Sequence, residues 1–205
     1  MQKHTQDTSK TDVDTSTRDS GSIREKVLAF IDLETTGLDP ARHEIIEIGC
    51  ILAQQIPSDG NGPRLKEINS FDIKVRPEHI ETADPLALKI NGYTEAGWQE
   101  AETLSSALAT LSEKTIGAVP VGHNIDFDIG FLRAAYEKLG IPWVLHYKRL
   151  DTISIAYARL YDEPNLSQFS LDMLCKKLNI PYTLKHRAGS DIRATFELYK
   201  KLLGA

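Results

Sequence analysis

Two acids interrupt an apolar run near the start of the chain. Val27, Leu28, Ala29, Phe30 and Ile31 form the continuous hydrophobic stretch that a central strand needs. Asp32 and Glu34 follow in the same strand. Strand residues two apart point to one face, so both carboxylates project together. Neighbouring anions repel and burial penalises each, and a bound divalent cation removes that penalty. The Thr35-Thr36-Gly37 turn that follows can bring backbone N–H groups close to a phosphate. The chemistry indicated is metal-assisted phosphoryl chemistry. An Asp-x-Glu pair also fits the plainer role of capping a turn or sitting in water, so its context decides.

Two further clusters supply that context. The first is His123-Asn124-Ile125-Asp126-Phe127-Asp128, where a strand gives way to a helix. The second is His186-Arg187-Ala188-Gly189-Ser190-Asp191, at the start of the last helix. A two-metal phosphodiesterase needs several oxygen ligands close together, with a base or a metal-bound hydroxide as the source of the nucleophile. Open α/β folds gather such groups at strand ends along one sheet edge. Asp191 lies in a first helical turn that can point back to that edge. His186 is five residues earlier, so a straight helix does not align the two, and His186 belongs on the preceding loop. Asp126, Asp151 and Asp172 suit helix caps or first turns. His123 suits a packed, hydrogen-bonded side chain. Lys185 and Arg187 flank His186 and either meet phosphates or form a solvated face.

The elements that must carry these groups follow from pattern and punctuation. Residues 27–34 predict a first strand, Asp39-Pro40 a turn, and residues 45–53 a second strand paired antiparallel with the first. After a loop over 57–63, a third strand runs from about 66 to 75. Asp84-Pro85 opens a short helix that Asn91-Gly92 ends. Thr94 caps a turn carrying Trp98, and leucines at helical spacing predict a helix over about 101–114. Residues 118–123 read as a strand, 126–139 as an amphipathic helix ended by Gly140, and 145–150 as a fifth strand. Helices begin at Asp151-Thr152, at the N-cap Ser170, and at about Ser190. Three early strands, then helices alternating with two more, predict an α/β domain with a mixed five-stranded central sheet flanked by helices.

Composition sets outer bounds. With 205 residues, 41% of them hydrophobic, the chain can bury one real core. Residues 1–24 are polar and read as a disordered N-terminal tail, leaving 25–205 as the folded domain. A net charge of -5 and a pI of about 5.7 argue against a long basic stripe for nucleic acid, though cations can neutralise an acidic site locally. Cys50 and Cys175 sit in apolar surroundings and read as reduced core residues. No apolar run is long enough to span a bilayer and no signal-peptide core is evident, so a cytoplasmic location without membrane contact is expected.

The segments Phe30–Leu38, His123–Leu132 and His186 with Asp191 resemble the three exonuclease motifs of the DnaQ-like family, in its histidine-containing DEDDh branch. They are similar above all to the proofreading epsilon subunits of bacterial DNA polymerase III, which Ser170–Cys175 also resembles. The resemblance covers most of 27–203. It implies a ribonuclease H-like fold and 3′-to-5′ exonuclease activity with two divalent cations, Mg²⁺ or Mn²⁺, releasing nucleoside 5′-monophosphates. It makes Asp32, Glu34, Asp128 and Asp191 the catalytic metal carboxylates and His186 the general base, a role that the ordinary imidazole pKa of about 6.5 suits. Thr35, Thr36, Gly37 and Leu38 would line the terminal nucleotide. Ile90 would supply a wedge, Asn91 a polar contact, Phe127 a stacking surface and Asn124 a hydrogen bond. The implied partners are nucleic acid 3′ ends, DNA in preference to RNA. Polymerase association is compatible with the resemblance, but no polymerase-binding tail is evident before Ala205. Oligomeric state is left open. The rival readings are an RNA-trimming exoribonuclease and a non-catalytic module that binds nucleic acid ends or a protein.

Overall fold

The first apolar run becomes the central strand of a mixed sheet. The computed structural model describes residues 21–58, 62–164, 166–183 and 186–204. Residues 1–20 of the expected tail lie outside these, as do Lys185 and residues 59–61 of the expected loop. β1 (Leu28–Thr35), β2 (Ile45–Ile56) and β3 (Arg64–Lys74) form an antiparallel meander. β4 (Val119–Gly122) and β5 (Leu150–Asp151) extend it in parallel, giving the order β3-β2-β1-β4-β5. This is the expected mixed five-stranded sheet.

Alternation along β1 assigns its two faces. Ala29, Ile31 and Leu33 join a core cluster with α2 (Leu104–Thr115) and α3 (Ile125–Leu139). Leu28 and Phe30 face the other way, into a cluster with Ile192, Phe196 and Tyr199 of α6 (Ala188–Leu203). Phe30 packs edge-on against Phe196 and Tyr199, with ring centroids 5.0 and 5.3 Å away. By the same alternation, Asp32 and Glu34 project on the α6 side. α4 (Thr152–Arg159) and α5 (Leu171–Lys177) pack a third cluster around Leu174 and Leu198.

The expected strand over 145–150 is shorter than its sequence suggests. Only Leu150 and Asp151 pair with β4. Upstream, His146 N–H reaches the Ala118 carbonyl, but Lys148 N–H bonds to Nδ1 of His146 instead of to the ladder. That local bond diverts a donor a strand would need, and the backbone turns aside. Among the described residues no helix is long and apolar enough to cross a membrane.

Candidate active site

The site opens where β1 and β4 part. Their parallel pairing runs only from Leu28/Val119 to Phe30/Val121. Beyond it the Leu33 N–H has no strand partner on that side, and Oδ1 of Asp128 takes it at 2.9 Å. Asp128 sits in the first turn of α3, whose N-terminus favours an anion. Asn124 precedes that helix in the left-handed region (φ 68), which tightens the strand-to-helix turn. Asp151 secures the arrangement: one oxygen accepts from Ile125 N–H at 2.8 Å and the other caps α4 through Ile153 N–H at 2.7 Å. The sequence expectation of a capping role for Asp151 therefore holds. Asp126 pairs with Arg149 on the surface.

The third cluster arrives on α6. Gly49, opposite Asp32 in β2, has no side chain, and the Ala188 carbonyl oxygen occupies the space within 2.5 Å of where a Cβ would stand. The helix N-terminus therefore lies directly on the sheet beside the acids. Asp191 is buried and accepts from the Tyr182 hydroxyl at 2.8 Å and from His186 N–H at 3.2 Å. His186 stands on the loop before the helix, exposed, with φ 58. One donor atom each from Glu34, His186 and Asp191 lies within 4.8 Å of the others.

Electrostatics bind the four acids into one group. Burial raises Asp32 well above the ordinary carboxyl range, and the charges of Asp128, Asp191 and Glu34 raise it further. Burial, then Asp191 and Glu47, push Glu34 up to about 8. Asp128 and Asp191 are raised as well, chiefly by burial. Such a set resists ionising, and a nearby counter-charge would favour the ionised forms. Four clustered carboxylates offer hard oxygen donors, a set that fits Mg²⁺ or Mn²⁺ better than a soft metal.

The residues expected to seat a nucleotide lie as follows. The Thr35 hydroxyl donates to the Gly37 carbonyl at 2.7 Å, and that of Thr36 accepts from Glu44 N–H at 2.8 Å. The His43 ring lies against Gly37, where any Cβ would collide with it at 2.5 Å. Leu38 is 79% and Ile90 46% exposed, two apolar side chains left open to solvent. Ile90 ends α1 (Pro85–Ile90), capped by Asp84. Asn91 is buried and its amide donates to the Thr35 carbonyl at 3.0 Å, which joins α1 to the end of β1. Phe127 packs on the core edge, 5.0 Å from the Phe131 ring.

Three participants escaped the sequence reading. Glu47, opposite Glu34 in the β1–β2 register, is 3% exposed and its Oε2 has no hydrogen-bond partner. Burial and a hydrogen bond shared with Asp72 of β3 push Glu47 up to about 7. An acid inside the apolar run Ile45-Ile46-Glu47-Ile48 is the same signal that marked Asp32, and it was available. Tyr182 carried no such signal, because only the loop's return to Asp191 gives it a role.

Residues 29–199 match the family model RNase_T, described as Exonuclease. Relatives include the DNA polymerase III PolC-type proteins of Caldanaerobacter subterraneus subsp. tengcongensis, 29% identical over 91% of this chain, and of Latilactobacillus sakei, 31% identical over 88%. The chain spans 12% of the length of each. Escherichia coli Exonuclease I in complex with a dT13 oligonucleotide superposes with a TM-score of 0.70 at 21% identity, covering 85% of this chain and 40% of that one. The nuclease domain of 3′hExo, a DEDDh family member bound to rAMP, superposes with a TM-score of 0.68 at 22% identity, covering 88% and 92%. The shared architecture is the ribonuclease H-like fold of these exonucleases. The family match runs from β1 to α6 and takes in all three acidic motifs, and the chain belongs to the RNase_T exonuclease family.

Proposed function

We propose that the chain removes nucleotides one at a time from the 3′ ends of nucleic acid, single-stranded DNA by preference, releasing nucleoside 5′-monophosphates. The observation that carries this reading is the convergence of Glu34, Asp191 and His186 donor atoms within 4.8 Å, beside Asp32 and Asp128. Asp32, Glu34, Asp128 and Asp191 would hold two divalent cations, Mg²⁺ or Mn²⁺. When bound, these supply charge neutralisation at the phosphate and the leaving oxygen. His186 takes a proton from the attacking water, whose oxygen bonds to phosphorus as the bond to the 3′ oxygen breaks. Its exposure leaves it open to that water from the solvent side. Tyr182 and the backbone N–H of His186 hold Asp191 in place.

Thr35, Thr36, Gly37 and Leu38 would line the terminal nucleotide, with Ile90 as a wedge, Asn91 fixing the turn and contributing a polar contact, Phe127 as a stacking or packing surface and Asn124 as a hydrogen-bonding neighbour. The open apolar surfaces of Leu38 and Ile90 support a seat for a base. DNA is favoured over RNA because the relatives named above are DNA polymerase III proteins. The same relatives support a polymerase context.

The test is digestion of 5′-labelled single-stranded DNA, duplex DNA and RNA with Mg²⁺, Mn²⁺ or EDTA. A metal-dependent ladder shortening from the 3′ end is expected, strongest on single-stranded DNA and absent in Asp32→Ala. His186→Ala should lose about 10²- to 10⁴-fold in rate while keeping its fold. No cleavage of any substrate, with metal binding confirmed, sinks the reading and leaves a non-catalytic end-binding module. Faster trimming of RNA overturns the DNA preference alone.

A further inference from the structure

Arg187 follows the proposed base directly, yet its side chain turns inward. Nη1 donates to the Asn91 carbonyl at 2.9 Å, and the guanidinium lies 5.9 Å from the centre of the Trp98 ring. Gly92, with φ +64, leaves the space it needs, since a Cβ there would stand 3.1 Å from Nη2. Asn91 in turn donates to the Thr35 carbonyl, one residue after Glu34. An unbroken chain of contacts therefore runs from the His186 loop through Arg187 and Asn91 to the end of β1. The positive charge also faces Glu34, Glu47 and Asp72 and favours their ionised forms. Asp72 accepts from Gly189 N–H in the first turn of α6, so the far side of the loop is tied to the same acids. His186 itself occupies a left-handed backbone conformation, which a non-glycine residue keeps only where its surroundings impose it.

We propose that Arg187 is a positioning residue: its fork between Asn91 and the acids holds the His186 loop at a fixed place relative to Glu34 and the nucleotide seat. This rests on the exonuclease reading for its catalytic consequence, though not for the latch itself. A planar guanidinium can bond a carbonyl and face carboxylates at once, whereas a lysine ammonium on a flexible stem does not reproduce the fork. Misplacing a base by about 1 Å costs on the order of 10²-fold in rate.

The experiment is a double-mutant cycle with the p-nitrophenyl ester of thymidine 5′-monophosphate, in saturating Mn²⁺. Arg187→Ala should lower kcat by about 10²-fold and change KM by less than about threefold. Arg187→Lys should recover little, and added guanidinium at low millimolar concentration should restore part of the Arg187→Ala rate. In a His186→Ala background the Arg187→Ala change should cost almost nothing further, because it acts through the missing base. Hydrogen exchange at residues 186–191, read without substrate, should quicken in Arg187→Ala. An additive loss in the cycle, or unchanged exchange, overturns the latch. An inactive wild type whose exchange still responds to Arg187→Ala overturns the exonuclease reading and leaves the latch standing.

Discussion

Buried carboxylates whose charges raise one another resist ionising together without a counter-charge, and this sets a pH signature. Unfolded aspartate and glutamate titrate near 4. In the fold Glu34 is raised to about 8, chiefly by burial, and Asp32 is raised well above its usual value. Between those limits the unfolded chain has released protons that the folded chain retains, so rising pH favours unfolding. The contribution of Glu34 is fully present below about pH 4 and is lost as pH rises through about 8, and that of Asp32 is lost in the same direction. In EDTA, thermal melts should therefore show Tm falling by about 5 °C or more from pH 5.5 to 8. Mn²⁺ should restore it at pH 8 and do little at pH 5.5, where protons compete for the same oxygens. Asp32→Asn removes one of the repelling charges. It should raise the Tm of the metal-free protein at pH 8 while abolishing cleavage, and a lower Tm would show that the carboxylate is stabilising without metal.

Among the elements, the β2–α6 contact decides whether the third motif reaches the first two. Gly49 lets the Ala188 carbonyl rest on the sheet, where a Cβ would meet it at 2.5 Å. Backbone cannot yield as a flexible side chain can, so Gly49→Ala must lift the start of α6. Denaturant unfolding should show a loss of about 1–3 kcal/mol, as overpacking does elsewhere. Cleavage should fall further than stability explains, because His186 and Asp191 move away from Asp32. Near-wild-type turnover in a folded Gly49→Ala protein would show that α6 finds another seat. This contact also marks how far the sequence could be read. The strand alternation at Asp32 and Glu34, the Asp84, Asp151 and Ser170 caps, and the loop position of His186 are all local signals and were legible. The close approach at Gly49, the return of Tyr182 to Asp191 and the inward turn of Arg187 join residues far apart in sequence, where period and propensity carry no information. The shortened β5 was missed for a different reason, since a side chain competing for one backbone donor leaves no mark on the hydrophobic pattern.

At the scale of the whole molecule, charge limits how the chain can meet nucleic acid. A net charge of -5 over 205 residues argues against a long basic track. Several cations are already engaged: Arg193 with Glu67, Lys177 with Glu163, Lys138 with Glu78 and Arg149 with Asp126. Arg187 is turned inward to Asn91. On the proposed function, affinity would come mainly from the seat around the terminal nucleotide and from cations held by the acids. Backbone neutralisation along the strand adds little. For single strands log K falls with log salt at a slope of about -0.7 per neutralised phosphate, so two such contacts weaken binding about sevenfold between 50 and 200 mM salt. Fluorescence anisotropy of a 3′-terminal oligonucleotide, in Ca²⁺ to hold back cleavage, should show a change of that size. It should also show little gain in affinity as the strand is lengthened beyond the few nucleotides next to the 3′ end. A loss of 10³-fold over the same salt range would mean many phosphate contacts, and would require a basic surface that the folded chain assembles from residues now paired with acids.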